Sequence, residues 1–285
     1  MLQRSKTKVI APTVTLGLLK VFAQQKQTFF TEREIKKAYA DAVRAMQSLL
    51  QHKLHIGAKW EDAYASRTLP KYRVLRERNG RFELLSPYTI HAQTLEQWIP
   101  GQIMAYIEQK LGMIPKLSSQ SFRAEVAGDV NVFVNLLETN IEINPANFEF
   151  ICFAVLRIHL EKFACRIYRD TRAAAHDKGV DISTNFGVVY QIKKLRVVTQ
   201  KVCDAITAEL KLNFDKQRLD DGKVILVIDD IRKEFKDFLI DMKIQSITKA
   251  DLLKLARQFE DPEDREKVLR VIHDEFRREY ASRFD

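Results

Sequence analysis

At 285 residues, with 46% hydrophobic and 30% charged residues, the chain is long enough for two packed domains and too apolar for a disordered polyelectrolyte. Nine glycines and seven prolines argue against long flexible segments, and three cysteines without a C-x-x-C pair fit neither a disulfide framework nor a zinc site. The net charge of +9 is concentrated at one end: residues 1–80 hold 16 Lys and Arg against 6 Asp and Glu, whereas 81–200 hold 13 against 12 and 201–285 hold 18 against 20.

Such asymmetry suggests that the N-terminal segment meets a polyanion, most often nucleic acid, although a solvated basic face has the same composition. A reducing cytoplasm is the simplest setting for unpaired cysteines. Lys20 interrupts the first apolar run, which therefore continues as an amphipathic helix and not as a secretory signal. No stretch is long and apolar enough to span a membrane.

In chain order, Thr13 to Gln24 has helical apolar spacing, and Thr28-Phe29-Phe30 is a short extended link. Thr31 with Glu34 fits a capping box that opens a second helix with Ile35, Ala38, Tyr39, Ala42, Met46, Leu49 and Leu50 on one face. Trp60 to Thr68 reads as a shorter third helix ended by Pro70. Two extended runs, 71–78 and 81–85, flank Asn79-Gly80, which supplies the positive φ angles of a type I′ hairpin turn. Three helices followed by a basic hairpin resemble a winged helix. In that arrangement Arg67, Lys71, Arg73, Arg76, Arg78 and Arg81 are the side chains expected near DNA phosphates, where they neutralise charge and release counterions.

Thr94 to Leu111 is a helix that Pro100-Gly101 kinks or splits, and Val130 to Leu137 is an apolar run that is helix or strand. Asn144-Pro145 opens the next helix, with Asn at the N-cap and Phe148, Ile151, Cys152, Val155, His159 and Phe163 on its packing face. A strand begins at Cys165 to Tyr168. Val180–Thr184 and Val188–Leu195 form a hairpin around Asn185-Phe186-Gly187, and Val202 to Leu212 is helical. The uninterrupted Val224-Ile225-Leu226-Val227-Ile228 marks a strand buried on both faces. The remainder, Ile231–Ile240, Ser246–Phe259 and Pro262–Arg278, reads as helices.

Side chains alternate along a strand, so Gln191 and Lys193 share one face while Ile192 points away, and Asp181 lies on the partner strand. A carboxylate beside backbone oxygens can hold Mg²⁺, which prefers oxygen and keeps water ligands. A lysine there can orient water and offset phosphate charge. His159 reads as a packed core residue and His176 as a solvated loop residue.

Helix, strand, hairpin with D…QxK, helix and buried strand, over residues 144–240, resemble the PD-(D/E)xK nuclease superfamily in the variant with glutamine at the second acid. Asp177-Lys178-Gly179-Val180-Asp181-Ile182 is similar to the DGG-x-D-(V/I) passage of Mrr-type and related restriction endonucleases, with Val180 in place of proline, and Phe148-Glu149 resembles their F-E pair. The resemblance implies Asp181 as the metal ligand, Gln191 at the second site position, Lys193 as the catalytic lysine, the Ile192 carbonyl as a backbone metal ligand and Glu149 as an auxiliary acid. Lys194 and Arg196 would meet the scissile strand.

The expectation is an α/β (α+β overall) protein. A winged-helix-like DNA-binding domain spans 1–86, a helical connector 87–143, a restriction-endonuclease-like core with a mixed central sheet 144–245, and a helical C-terminal cap 246–285. The implied function is a type II restriction enzyme: a sequence-specific endonuclease of double-stranded DNA, with one or two Mg²⁺ per site, acting as a homodimer beside a companion DNA methyltransferase. A modification-dependent (type IV) or repair nuclease, and a non-catalytic DNA-binding regulator, are the alternatives.

Overall fold

The computed structural model describes residues 10–50, 67–169 and 180–280. The chain forms two compact units, Met1–Lys110 with Arg278–Asp285 and Leu111–Arg277, and both helix and sheet contribute to each. The division falls inside the 87–143 segment, so the helices up to Lys110 belong with the N-terminal unit.

In the first unit, α1 (Ile10–Gln25) is followed by β1 (Phe29–Phe30) and α2 (Glu32–Leu50). The capping box at the start of α2 forms: the Thr31 N–H donates to Glu34 Oε2 at 2.6 Å and the Glu34 N–H donates to Thr31 Oγ1 at 3.3 Å. Gly17 lets α1 approach α2 closely, because a methyl group there would run into the Ala38 carbonyl. α3 (Thr68–Lys71) includes Pro70 in its first turn, a position where the missing N–H costs nothing, so Pro70 does not end it. The helix expected at Trp60 lies almost wholly outside the described residues.

β2 (Leu75–Arg78) and β3 (Arg81–Leu84) make the expected hairpin, with φ of 51° at Asn79 and 73° at Gly80. β1 joins its other side to give the order β1-β3-β2. Ile10, Val14, Phe30, Ile35, Leu75 and Phe82 share one core. α4 (Ser86–Ile90) and α5 (Ala92–Leu111) complete this part, and α5 runs through Pro100 as one helix instead of splitting.

The second unit begins with a 3₁₀ turn at Ile114–Ser118, α6 (Gln120–Gly128) and α7 (Val130–Ile143). The apolar run from Val130 is therefore helical, started by the Asp129 carboxylate accepting from the N–H groups of Asn131 and Val132. α8 (Pro145–Glu161) is capped as its sequence requires, with Asn144 Oδ1 accepting from the Ala146 N–H at 3.2 Å. Phe148, Phe150, Ile151, Cys152 and Val155 are fully buried.

Then follow β4 (Ile167–Arg169), β5 (Ile182–Thr184), β6 (Val189–Val197), α9 (Gln200–Asn213), α10 (Lys216–Asp220), β7 (Val224–Ile231), α11 (Lys233–Asp241), β8 (Gln245–Thr248), α12 (Lys249–Arg257) and α13 (Pro262–Tyr280). The sheet order is β4-β5-β6-β7-β8, antiparallel across β4, β5 and β6 and parallel across β6, β7 and β8. β7 lies between two parallel neighbours, with Leu226, Val227 and Ile228 all buried.

β8 corrects the expectation of an all-helical end from 246 onward: Gln245–Thr248 pairs with β7 as an outer strand. Ser-Ile-Thr is too short to show a period, and the capping box of Thr248 with Asp251 starts α12 immediately after it.

Candidate active site

β6 carries the site. Val189 and Val197 enter a core with Ile206 and Leu210 of α9, so the side chains in register with them face that helix. Gln191 and Lys193 accordingly meet on one carboxylate there. Glu209 Oε1 accepts from Lys193 Nζ at 2.7 Å and from Gln191 Nε2 at 3.2 Å. Gln191 is only 2% exposed, and its Oε1 has no hydrogen-bond partner. Just beyond, β6 has one residue more than β7: Lys193 pairs with Ile228 and Arg196 with Asp230. Such bulges re-aim side chains locally.

Asp181 precedes β5. Its N–H donates to the Tyr190 carbonyl at 3.2 Å, and its Oδ2 accepts from the Ile192 N–H at 2.6 Å. In a strand the N–H and C=O of one residue turn to the same neighbour. With Ile182 opposite Tyr190, the place opposite Ile192 lies before β5 begins, so the Ile192 carbonyl emerges at the strand end that Asp181 occupies. The Asp181 carboxylate thus lies against the Ile192 backbone, the middle residue of the Gln191-Ile192-Lys193 segment.

Glu149 approaches from α8. Its Oε1 accepts from Arg169 Nε at 2.7 Å, and Arg169 Nη1 reaches Glu275 Oε2 at 2.8 Å. The guanidinium, on a side chain 4% exposed, also lies 4.6 Å from the centre of the Phe150 ring. Burial pushes the Cys152 thiol well up, and the negative charges of Glu149 and then Asp181 raise it further.

Lys194 projects to the other face of β6. Its Nζ is 2.7 Å from Asp229 Oδ1 and 3.2 Å from Glu142 Oε2, and lies over the Phe148 ring at 5.7 Å. Lys249 joins this network at 2.6 Å from Glu142 Oε1, a hydrogen bond that lowers the Glu142 pKa. Arg196 meets Asp230 at 2.7 Å. The structure thus gives each cation expected at the scissile strand a carboxylate partner.

In the first unit Lys71, Arg73 and Arg76 are exposed and make no ion pair among the described residues. Arg78 pairs with Glu83 at 3.1 Å, Arg81 Nη2 donates to the Phe29 carbonyl at 3.0 Å, and exposed Arg67 immediately precedes α3. Arg73 has a φ of 55°, uncommon for a residue with a Cβ. His159 is half-buried and not in the core: its ring lies 5.4 Å from that of Phe163, which is exposed beyond the end of α8, and partial burial lowers its pKa. His176 and Asp177 lie outside the described residues.

Glu209 is the residue that sequence reasoning missed. α9 shows only its apolar spacing in sequence, and nothing there marks Glu209 rather than Asp204, five residues earlier, as the acid that matters. Only the packing of α9 against β6 does so. Among the described residues no group of three or more His, Cys, Asp or Glu side chains is placed to hold a metal ion. No described helix is long and apolar enough to cross a membrane. Comparisons with protein-family models, curated proteins and solved structures give no match.

Proposed function

We propose that the chain is a Mg²⁺-dependent endonuclease of double-stranded DNA, of the sequence-specific type II restriction class and acting as a homodimer. The observation that carries this reading is the Asp181 carboxylate accepting from the Ile192 N–H at 2.6 Å, Ile192 being the residue between Gln191 and Lys193 in the chain. The element order α8-β4-β5-β6-α9-β7, with the acid at the start of β5 and the lysine in β6, supports a PD-(D/E)xK-like core. In the first unit, the order α1-β1-α2-α3-β2-β3 with β1 beside β3 supports a winged-helix-like DNA reader.

The donor set suits a hard cation that keeps most of its waters, since Mg²⁺ needs only one or two carboxylates from the protein. Asp181 and the Ile192 carbonyl would hold it, with Glu149 beside them where the hold of Arg169 leaves room. Bound there, Mg²⁺ would polarise the phosphodiester and lower the pKa of a coordinated water. Lys193 places a positive charge beside this point, which favours the extra negative charge of the transition state. Gln191 contributes a neutral buried oxygen. On the first unit, Lys71, Arg73 and Arg76 supply charge for DNA phosphates, and no carboxylate among the described residues pairs with them.

A second reading, a DNA-binding regulator without catalysis, is favoured by one observation: Glu149 and Lys193 are each engaged by another charged side chain. Incubation of mixed-sequence DNA with the full chain and Mg²⁺, against a chelator control, separates the two. Discrete fragments are expected, and Asp181→Ala or Lys193→Ala should slow their formation by about 10²–10³-fold. Retention of DNA without cutting would favour the regulator. Cutting confined to methylated DNA would shift the assignment to a modification-dependent enzyme.

A further inference from the structure

Resting on the nuclease reading, we infer that Glu209 of α9 is a positioning residue for Lys193, supplying from the helix the negative charge that the strand position Gln191 does not carry. Three observations converge on it. Glu209 Oε1 receives both Lys193 Nζ and Gln191 Nε2, so a single carboxylate oxygen orders the two side chains of the QxK segment. Glu209 is 42% exposed while Lys193 is 21% exposed, so the pair lies at the rim of the core and not inside it. The amide of Gln191 is buried, yet its Oε1 has no partner.

Other buried polar atoms, Ser246 Oγ among them, likewise have no hydrogen-bond partner, so what sets Gln191 apart is that its other end is tied to Glu209. A buried amide with one end unsatisfied carries an uncompensated desolvation cost. By taking the NH₂ end, Glu209 fixes which end of Gln191 remains open, and the open end is an oxygen. The same carboxylate holds a flexible lysine, whose stem has four rotatable bonds and whose ammonium would otherwise sample many positions. An ordinary rim ion pair would account for Lys193 alone but not for the shared oxygen with Gln191. Glu209 is thus expected to set the location of the Lys193 charge before substrate arrives, the kind of outer contact whose loss costs about 10–100-fold.

The test uses the full chain, DNA and Mg²⁺ under single-turnover conditions. Glu209→Gln should slow cleavage by about 10–100-fold, whereas Asp204→Asn, on the same helix and bonded to Gln200, should cut as wild type does. Since Glu209 acts through Lys193, the Glu209→Gln/Lys193→Ala double variant should cut no more slowly than Lys193→Ala alone. A readout independent of turnover is the side-chain ammonium signal of Lys193 in nitrogen NMR of the metal-free protein, protected in wild type and lost in Glu209→Gln. If Glu209→Gln does not fold, Glu209→Asp, which keeps the charge but shortens its reach, carries the same comparisons. Wild-type cleavage by the Glu209 variant, losses that multiply in the double variant, or an unchanged ammonium signal would each overturn the inference. Asp181→Ala inactive with Glu209→Gln fully active removes this inference alone; Asp181→Ala as active as wild type removes the nuclease reading and this inference with it.

Discussion

Around the β2–β3 hairpin, Lys71, Arg73 and Arg76 are exposed and meet no carboxylate among the described residues, whereas along β6 Lys193, Lys194 and Arg196 each have one at 2.7 Å. The difference lies in what surrounds the strands. The hairpin stands on a three-stranded sheet whose own acids are Glu77, which is exposed, and Glu83, which is taken by Arg78. β6 runs through the middle of a five-stranded sheet, where α7, α9, β7 and α12 bring Glu142, Glu209, Asp229 and Lys249 within reach. One region presents positive charge and the other holds it in place, which is the division of labour expected of a DNA reader and a reaction centre.

The sharpest way to break this contrast is at Arg169, a buried cation held by two carboxylates. Arg169→Met would leave Glu149 and Glu275 without their shared partner, a change expected to cost about 3 kcal/mol or somewhat more in unfolding free energy. Urea denaturation measures it, and Arg169→Met/Glu275→Leu should recover part of the loss. A variant as stable as wild type would mean that the triad holds nothing.

Next in size is the presented charge. Lys71→Ala with Arg76→Ala should lower the salt dependence of DNA binding by about 1 in log–log slope for each cation removed, with little change in stability. Lys194→Ala should do the reverse: the slope stays, while the loss of its ties to Asp229 and Glu142 lowers the thermal midpoint. An unchanged slope in the hairpin variant, or a lowered one in Lys194→Ala, erases the distinction between the two regions.

The smallest effect concerns pH. The hydrogen bond from Lys249, followed by that from Lys194, lowers the Glu142 pKa below its ordinary value. A folded-state pKa below the unfolded one contributes stability that is present above the usual carboxylate range, about pH 4 and higher, and is lost as pH falls through the folded value. Thermal midpoints should therefore fall on acidification with a part that Glu142→Gln lacks, so the two proteins converge at the acid end. Because the Glu142 side chain is half exposed, solvent screens the pair and the difference will be modest.

Much of the architecture was legible locally. Asn144-Pro145, Thr31 with Glu34, and Asn79-Gly80 each specify a cap or turn through bonds and φ angles within four residues, and each appears where its chemistry requires. The hairpin of Asp181 with Gln191 and Lys193 was likewise set by a short turn, and Gly187 adopts the positive φ, 79°, that the turn needs. The apolar run at Val130 was ambiguous because periodicity does not distinguish a buried helix from a buried strand, and the four-residue β8 was too short to have a period at all.

What the sequence determined by itself, then, is most of the order of elements, many of their local starts and stops, and the strand face shared by Gln191 and Lys193. The tertiary structure alone decided which carboxylate that face meets, that Glu149 is tied to Arg169, and that Lys194 turns to Asp229 and Glu142. Caps and turns are fixed by atoms a few residues apart. Glu209 comes to lie against Lys193 only because α9 and β6 bury a common apolar core, and no local pattern encodes which charged residue at the margin of that core will face the strand.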